Sequence, residues 1–207
     1  MIRYAFVNNQ VLRIYRSLPY IEFPINVKNI ISLIPNCRYM SYEQFAKLSD
    51  CSVDDVIKFC KSRFGCTKYD AKSDRYIILC NEQTNDNNNI GRQAWTLAHE
   101  IGHIVCNHHK IILYSKPNSE KIVKSITKDF ESEADYFTAM LLSPFPIFGA
   151  FNIHSVIDIK NTFGLSMQAA RNRFAHYQRW KLNHRKTSWE HDMLNTITFN
   201  YLKASSL

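Results

Sequence analysis

A chain of 207 residues with 45% hydrophobic and 13% aromatic side chains can bury a real core, as one moderate domain or a domain with a small appendage. Lys and Arg outnumber Asp and Glu by 26 to 18, and the net charge of +8 favours anionic partners without specifying one. Five glycines argue against a phosphate-cradling loop, and no apolar run approaches the length of a membrane span. The six cysteines form no C-x-x-C pair and Met1-Ile2-Arg3-Tyr4-Ala5 lacks the apolar core of a signal peptide, so reduced thiols in a cytoplasmic protein are expected.

In chain order, residues 11–15 suggest a short strand and residues 27–34 a short helix closed by Pro35. Ser41-Tyr42-Glu43-Gln44 is a capping box that opens a helix to Leu48, and Ser52-Val53-Asp54-Asp55 opens a second helix running to Gly65. Ala46, Asp50 and Val56 have the spacing of a helix-turn-helix unit, with Asp50 where glycine is usual. Asp54 and Asp55 sit at the end that would meet DNA and oppose phosphate, so the pair reads as a packing hairpin. Arg75-Tyr76-Ile77-Ile78-Leu79-Cys80 reads as a strand ended by Asn81, and Asn85-Asp86-Asn87-Asn88-Asn89 as a loop.

A helix expected from about Gly91 to about Asn107 carries His99-Glu100-Ile101-Gly102-His103. Residues four apart share a helical face, so His99 and His103 can offer two imidazole nitrogens to one metal ion, with Glu100 beside them as the proton acceptor. The helix stopped by Pro144 supplies the third ligand, because Glu131 and Asp135 share one face. Glu131 completes a His, His, Glu site, and Asp135 accepts the free N–H of a ligand histidine. Glu133, about 200° round the helix from Glu131, is expected to face solvent or a basic neighbour.

His109 is a rival ligand at the distance of H-E-x-x-H-x-x-G-x-x-H, with Cys106 in the glycine position and Asn107 able to make the turn. Otherwise His108 and His109 read as helix-end residues. A strand beside the metal helix commonly pairs with an extended peptide in zinc peptidases, and Tyr76, Ile77, Ile78 and Leu79 are the expected substrate-binding edge. Tyr114, Tyr136 and His154 are candidates for oxyanion support.

Beyond Pro144, residues 154–163 read as a helix, and Gly164-Leu165-Ser166 turns into a second one over 167–180. Arg171, Arg173, Arg179 and Lys181, then His184-Arg185-Lys186, make this unit basic. It reads first as a helix pair packing beneath the core and second as a face for phosphates. The tail, 189–202, has helical spacing at Met193, Leu194, Ile197 and Leu202.

The run from Arg92 through Trp95 to His103, followed by Glu131-Ser132-Glu133-Ala134-Asp135-Tyr136-Phe137-Thr138 and Leu141-Leu142-Ser143-Pro144, resembles the ImmA/IrrE family of metallopeptidases. With the strand ending Cys80-Asn81 and residues 163–174, the likeness covers roughly residues 40 to 180. It implies a zincin-like core holding Zn2+, with His99, His103 and Glu131 as ligands and Glu100 as general base. Trp95 stands where the family pattern often has Phe, and Asp135 where it often has Asn.

The expected fold is α+β and mainly helical, with a small sheet and helix-turn-helix-like flanks. Residues 1–150 would form the metallopeptidase domain with an N-terminal helical part, and 151–207 a C-terminal helical region. The expected function is a cytoplasmic zinc endopeptidase whose protein substrate is a helix-turn-helix repressor, since several members of the family are linked to such proteolysis. The alternative is a metal-binding regulator that contacts DNA or a partner through the basic C-terminal helices and uses its zinc site without proteolysis. No membrane partner is expected.

Overall fold

The computed structural model describes residues 1–83, 89–115, 119–183 and 187–204. It is mainly helical with one three-stranded sheet, the α+β class expected from the sequence. The chain resolves into two compact units, one of residues 1–3 and 27–135 and the other of residues 4–26 and 136–207. The contacts therefore divide the chain after Asp135, where the sequence reading drew a boundary after residue 150.

In the first unit, α2 (Val27–Ser32) leads into β1 (Cys37–Ser41), α3 (Tyr42–Leu48) and α4 (Val53–Cys60). Both expected capping boxes are present: Ser41 with Gln44 opens α3, and Ser52 with Asp55 opens α4. Asp50 takes a left-handed conformation (φ 49°) in the turn between them, as the missing glycine required. Tyr42, Ala46, Val56 and Cys60 pack on Leu79 in one apolar cluster, which is the packing role expected of this hairpin. The second helix stops at Cys60, earlier than expected, because Lys61 enters the left-handed region (φ 55°).

Gly65 then begins a strand that the sequence reading did not find. β2 (Gly65–Asp70) and β3 (Arg75–Cys80) form an antiparallel hairpin, and β1 pairs with β3 in parallel, giving the order β1-β3-β2. Consequently β3 is the middle strand, with a hydrogen-bonded neighbour on each side. Tyr76, Ile77, Ile78 and Leu79 are not a free edge, contrary to expectation. The unbroken apolar run Ile77-Ile78-Leu79-Cys80, buried over Ile78, Leu79 and Cys80, is what a strand covered on both faces requires.

The rest of this unit is α5 (Asn89–Val105), α6 (His108–Ser115) and the first part of α7 (Glu120–Leu142). α7 starts ten residues before the expected strong segment at Phe130. The expected loop at 85–89 lies outside the described residues up to 88, as does most of the loop at 115–119.

The second unit contains α1 (Tyr4–Ser17), the end of α7, a 3-10 turn at Phe145–Ile147, α8 (Val156–Phe163), α9 (Met167–Asn183) and α10 (Ser188–Ala204). Residues 11–15 belong to α1 and are not a strand. Val7, Val11, Ile14 and Tyr15 are buried at helical spacing, a pattern that starts before the window that suggested β structure. Ser155 with Asp158 caps α8, and Gly164 (φ 64°) turns the chain into α9, where an added Cβ would come within 2.7 Å of Pro24. Met193 and Ile197 are buried on α10.

α9 is less basic on its surface than its sequence suggests. Arg173 is 5% exposed: its guanidinium donates to the Ser143 carbonyl oxygen at 2.6 Å and 3.0 Å and lies 3.4 Å from the Phe145 ring centroid. It caps the carbonyl end of α7, where a cation is favourable. His184-Arg185-Lys186 lies outside the described residues. Replacing Arg173 with Ala should therefore lower unfolding stability by about 2–4 kcal/mol, from a lost charged hydrogen bond and a cavity. Urea denaturation followed by circular dichroism measures this, and an unchanged midpoint would show that Arg173 has no capping role.

Candidate metal centre and catalytic cleft

α5 places the central side chains. Its buried face of Leu97, Ala98, Ile101 and Ile104 fixes the helix against the sheet, so the next positions round, His99, Glu100 and His103, face a cleft. Gly65 allows the close approach: a Cβ there would lie 2.6 Å from Thr96 Cγ2 and 2.9 Å from the Leu79 carbonyl oxygen. The cleft encloses about 560 Å³ and is lined by β2 residues 65–67, the metal-motif residues, Trp95, Ile112 and Phe130, with Glu131 and Asp135 from α7.

Three side chains converge here. His99 Nε2 and His103 Nε2 are 3.0 Å apart, Glu131 Oε2 is 3.1 Å from His99 Nε2, and Glu131 Oε1 is 3.6 Å from His103 Nε2. A tetrahedral ion with ligand bonds of 2.0–2.1 Å spaces its donors by roughly 3.3 Å, so the donor triangle fits a divalent transition metal and leaves a fourth position open. Glu131 thus stands where expected. Asp135 Oδ1 is 3.1 Å from His99 Nδ1 and accepts its N–H, which directs the Nε2 lone pair into the triangle.

The two acids set the charge state of the site. Burial works against protonating His99, but hydrogen bonds to Asp135 and Glu131 outweigh it and push the pKa up to about 9. The adjacent His103 and His99 imidazoles hold the Glu131 carboxyl far below the usual carboxylate range, so it is anionic.

His103 is supported differently, through a chain that spacing alone did not suggest. His103 Nδ1 is 2.9 Å from His108 Nδ1, and His108 Nε2 is 3.0 Å from Glu133 Oε2. Arg3 donates to the same carboxylate from Nε at 2.9 Å, from Nη2 at 2.6 Å and from its backbone N–H at 2.8 Å. With Nε2–H of His108 given to Glu133, His108 Nδ1 accepts from His103 Nδ1–H, and His103 Nε2 is left for the metal.

Glu133 does meet a basic neighbour, but in the interior, since Glu133 and His108 are each 1% exposed. Burial tends to raise the Glu133 carboxyl, yet Arg3 and His108 hold it down at about 2. Cys106, His108 and Glu133 are also close enough to share an ion, but the Arg3 guanidinium already occupies Glu133.

Glu100 is held by Thr67, whose hydroxyl donates to Oε2 at 2.7 Å. The sequence reading missed Thr67 together with β2. The available signal was the Tyr69-Asp70 to Arg75-Tyr76 pairing across a short polar turn, which implies a strand before β3. β2 is also the sheet edge beside the metal helix, the position wrongly given to residues 76–79. Of the oxyanion candidates, Tyr114 is exposed on α6 and does not line the cleft, and Tyr136 donates its hydroxyl to Asn8.

His109 does not join the donors. Asn107 makes the predicted left-handed turn (φ 60°), but the ring packs 5.9 Å from Tyr76, and its Nε2 is buried without a hydrogen-bond partner among the described residues.

Two imidazoles and a carboxylate around an open position, with a second carboxylate alongside, define a metallopeptidase type of site. The chain belongs to the IrrE N-terminal-like domain family (Peptidase_M78), a metallopeptidase family whose model matches residues 56–175, which include His99, Glu100, His103, Glu131 and Asp135. No curated protein and no solved structure gives a match.

Two variants separate the carboxylates of α7. Glu131→Ala should remove most bound metal, measured by elemental analysis of the purified protein, with little change in melting temperature of the metal-free form. Glu133→Ala removes the carboxylate that pairs with Arg3 and His108 and should cost about 3–5 kcal/mol of stability in that same form.

His109→Phe should keep the metal and stabilise the protein by about 1 kcal/mol, because an unsatisfied buried nitrogen is removed. Burial, with His103 and Lys68 nearby, lowers the His109 pKa to about 4, while an unfolded histidine titrates near 6.5. The unfolded state therefore binds the proton first, so this contribution is complete above pH about 6.5 and is lost as the pH falls toward 4. Melting of the metal-free protein should consequently fall less steeply between pH 7 and 5 in His109→Phe than in the wild type. Loss of metal in that variant would instead make His109 a ligand.

Proposed function

We propose that the protein is a zinc-dependent endopeptidase that cleaves a specific intracellular protein, a helix-turn-helix transcriptional repressor. The observation that carries the reading is the donor triangle of His99, His103 and Glu131 with Glu100 held against the same cleft by Thr67. Two imidazoles, which give up their Nε2 protons when a metal binds, and one carboxylate with an open position suit zinc among the available divalent metals. What supports the repressor as substrate is the family resemblance, in which several members are linked to that proteolysis.

Bound zinc would supply Lewis acidity, which polarises the scissile carbonyl and acidifies a water molecule. Asp135 and His108 keep the ligand imidazoles in the orientation that presents both Nε2 atoms. Glu100, aimed by Thr67, takes a proton on a carboxylate oxygen as water attacks and returns it to the leaving amine nitrogen. β2 offers the unpaired main-chain edge along which an extended substrate would align, and the apolar walls at Trp95, Ile112 and Phe130 would receive its side chains.

The test is co-expression with the repressor-like protein encoded beside it, with fragments identified by mass. Wild type should cut at one bond, and a chelator should stop cleavage. Glu100→Gln should retain zinc but lose about 10²–10⁴-fold in rate, since an amide cannot accept the proton. Thr67→Ala should show a smaller loss, about tenfold, in kcat with KM little changed. Undiminished cleavage by Glu100→Gln would overturn the mechanism. A zinc-loaded protein that cuts nothing yet retards DNA at moderate salt would favour a regulator instead.

A further inference from the structure

Six cysteines take no part in the chemistry above, and two of them meet. Cys60 ends α4 and Cys66 is the second residue of β2, and the turn between them brings their Sγ atoms to 2.7 Å. A disulfide bond is 2.03–2.05 Å long, so closing one needs a shift of less than about 1 Å. The turn is braced: Ser62 Oγ accepts from the N–H groups of Phe64 and Gly65, and Tyr42 donates to the Ser62 carbonyl oxygen. Cys66 is half-buried and lines the candidate active-site cleft, whereas Cys60 is buried behind it.

We propose that Cys60 and Cys66 are a redox-active dithiol, oxidised to an intramolecular disulfide by small-molecule disulfides of the glutathione class that enter through the cleft. Cys66 Sγ attacks one sulfur of the reagent, whose S–S bond breaks and releases the first glutathione thiolate. Cys60 Sγ then attacks Cys66 Sγ and expels the second. The protein loses two hydrogens and two electrons, and the two protons leave on the two glutathione thiols.

The location gives the pair a bearing on the site. Thr67, the next residue, holds Glu100, so the disulfide would tie the start of β2 to α4 immediately before that contact. Exposed Cys51 provides an internal reference for an ordinary surface thiol.

The full-length protein is incubated in a buffer of reduced and oxidised glutathione, quenched in acid, alkylated and mapped by mass spectrometry after trypsin, which cuts after Lys61 and Arg63 between the two cysteines. The expected result is a pair of cross-linked peptides containing Cys60 and Cys66, lighter by about 2 Da than the two thiol peptides together. Cys60→Ser should instead accumulate a stable glutathione adduct on Cys66, and Cys66→Ser should leave Cys60 alkylatable without an adduct. A lasting adduct on Cys66 in the wild type, alkylation of both thiols to the same extent as Cys51, or a link from either to another cysteine would overturn the proposal. The wild-type map decides even where a variant fails to fold, and it does not depend on peptidase activity.

Discussion

The buried carboxylate of Glu133 is the constraint on which the metal centre depends. An ionised acid that is 1% exposed costs several kcal/mol in desolvation unless its oxygens are fully paired, and here Arg3 and His108 provide that pairing. The pairing consumes the Nε2–H of His108 and so makes its Nδ1 an acceptor. That in turn fixes the tautomer of His103. A charge at the centre of α7 thus sets the orientation of an imidazole on α5, two residues further along the chain of contacts. Arg3 stands at the far end of that chain and belongs to the same compact unit although it is remote in sequence.

A second constraint is the distance between α5 and the sheet. Only a residue without Cβ lets β2 pass so close to Thr96, and this approach brings the Thr67 hydroxyl within hydrogen-bond reach of Glu100. Glu100 is therefore positioned by the sheet, and His99, His103 and Glu131 by helices. Because β3 is occupied on both sides, the sheet edge beside α5 among the described residues is that of β2. The placement of α5, of Glu100 and of the β2 edge follows from a single packing arrangement.

The candidate ligands were legible as a cluster because helical periodicity converts directly into geometry: His99 with His103 and Glu131 with Asp135 are four apart, and the structure brings all four together. Caps at Ser41 and Ser52, and the left-handed turns at Asp50 and Asn107, were equally local. The failures were of longer range. A five-residue apolar window at 11–15 does not distinguish strand from helix, and the burial of Val7 settles it. Whether Tyr76–Leu79 is central or at the edge depends on partners that themselves lacked strong strand patterns. The roles of Arg3, Thr67, His108 and Glu133 depend on contacts that no spacing rule encodes.

The formal charge of +8 looks different once side chains have places. Arg3 and Arg173 are spent on internal acceptors, a carboxylate and a helix end, and neither offers its charge to an external phosphate. The metal centre itself is electrostatically uneven. Glu131 and Asp135 have side chains 53% and 61% exposed, so solvent and salt screen their hold on His99, whereas the partners of His103 are nearly sealed from water. One half of the donor set is thus fixed by the interior and the other by acids at the surface.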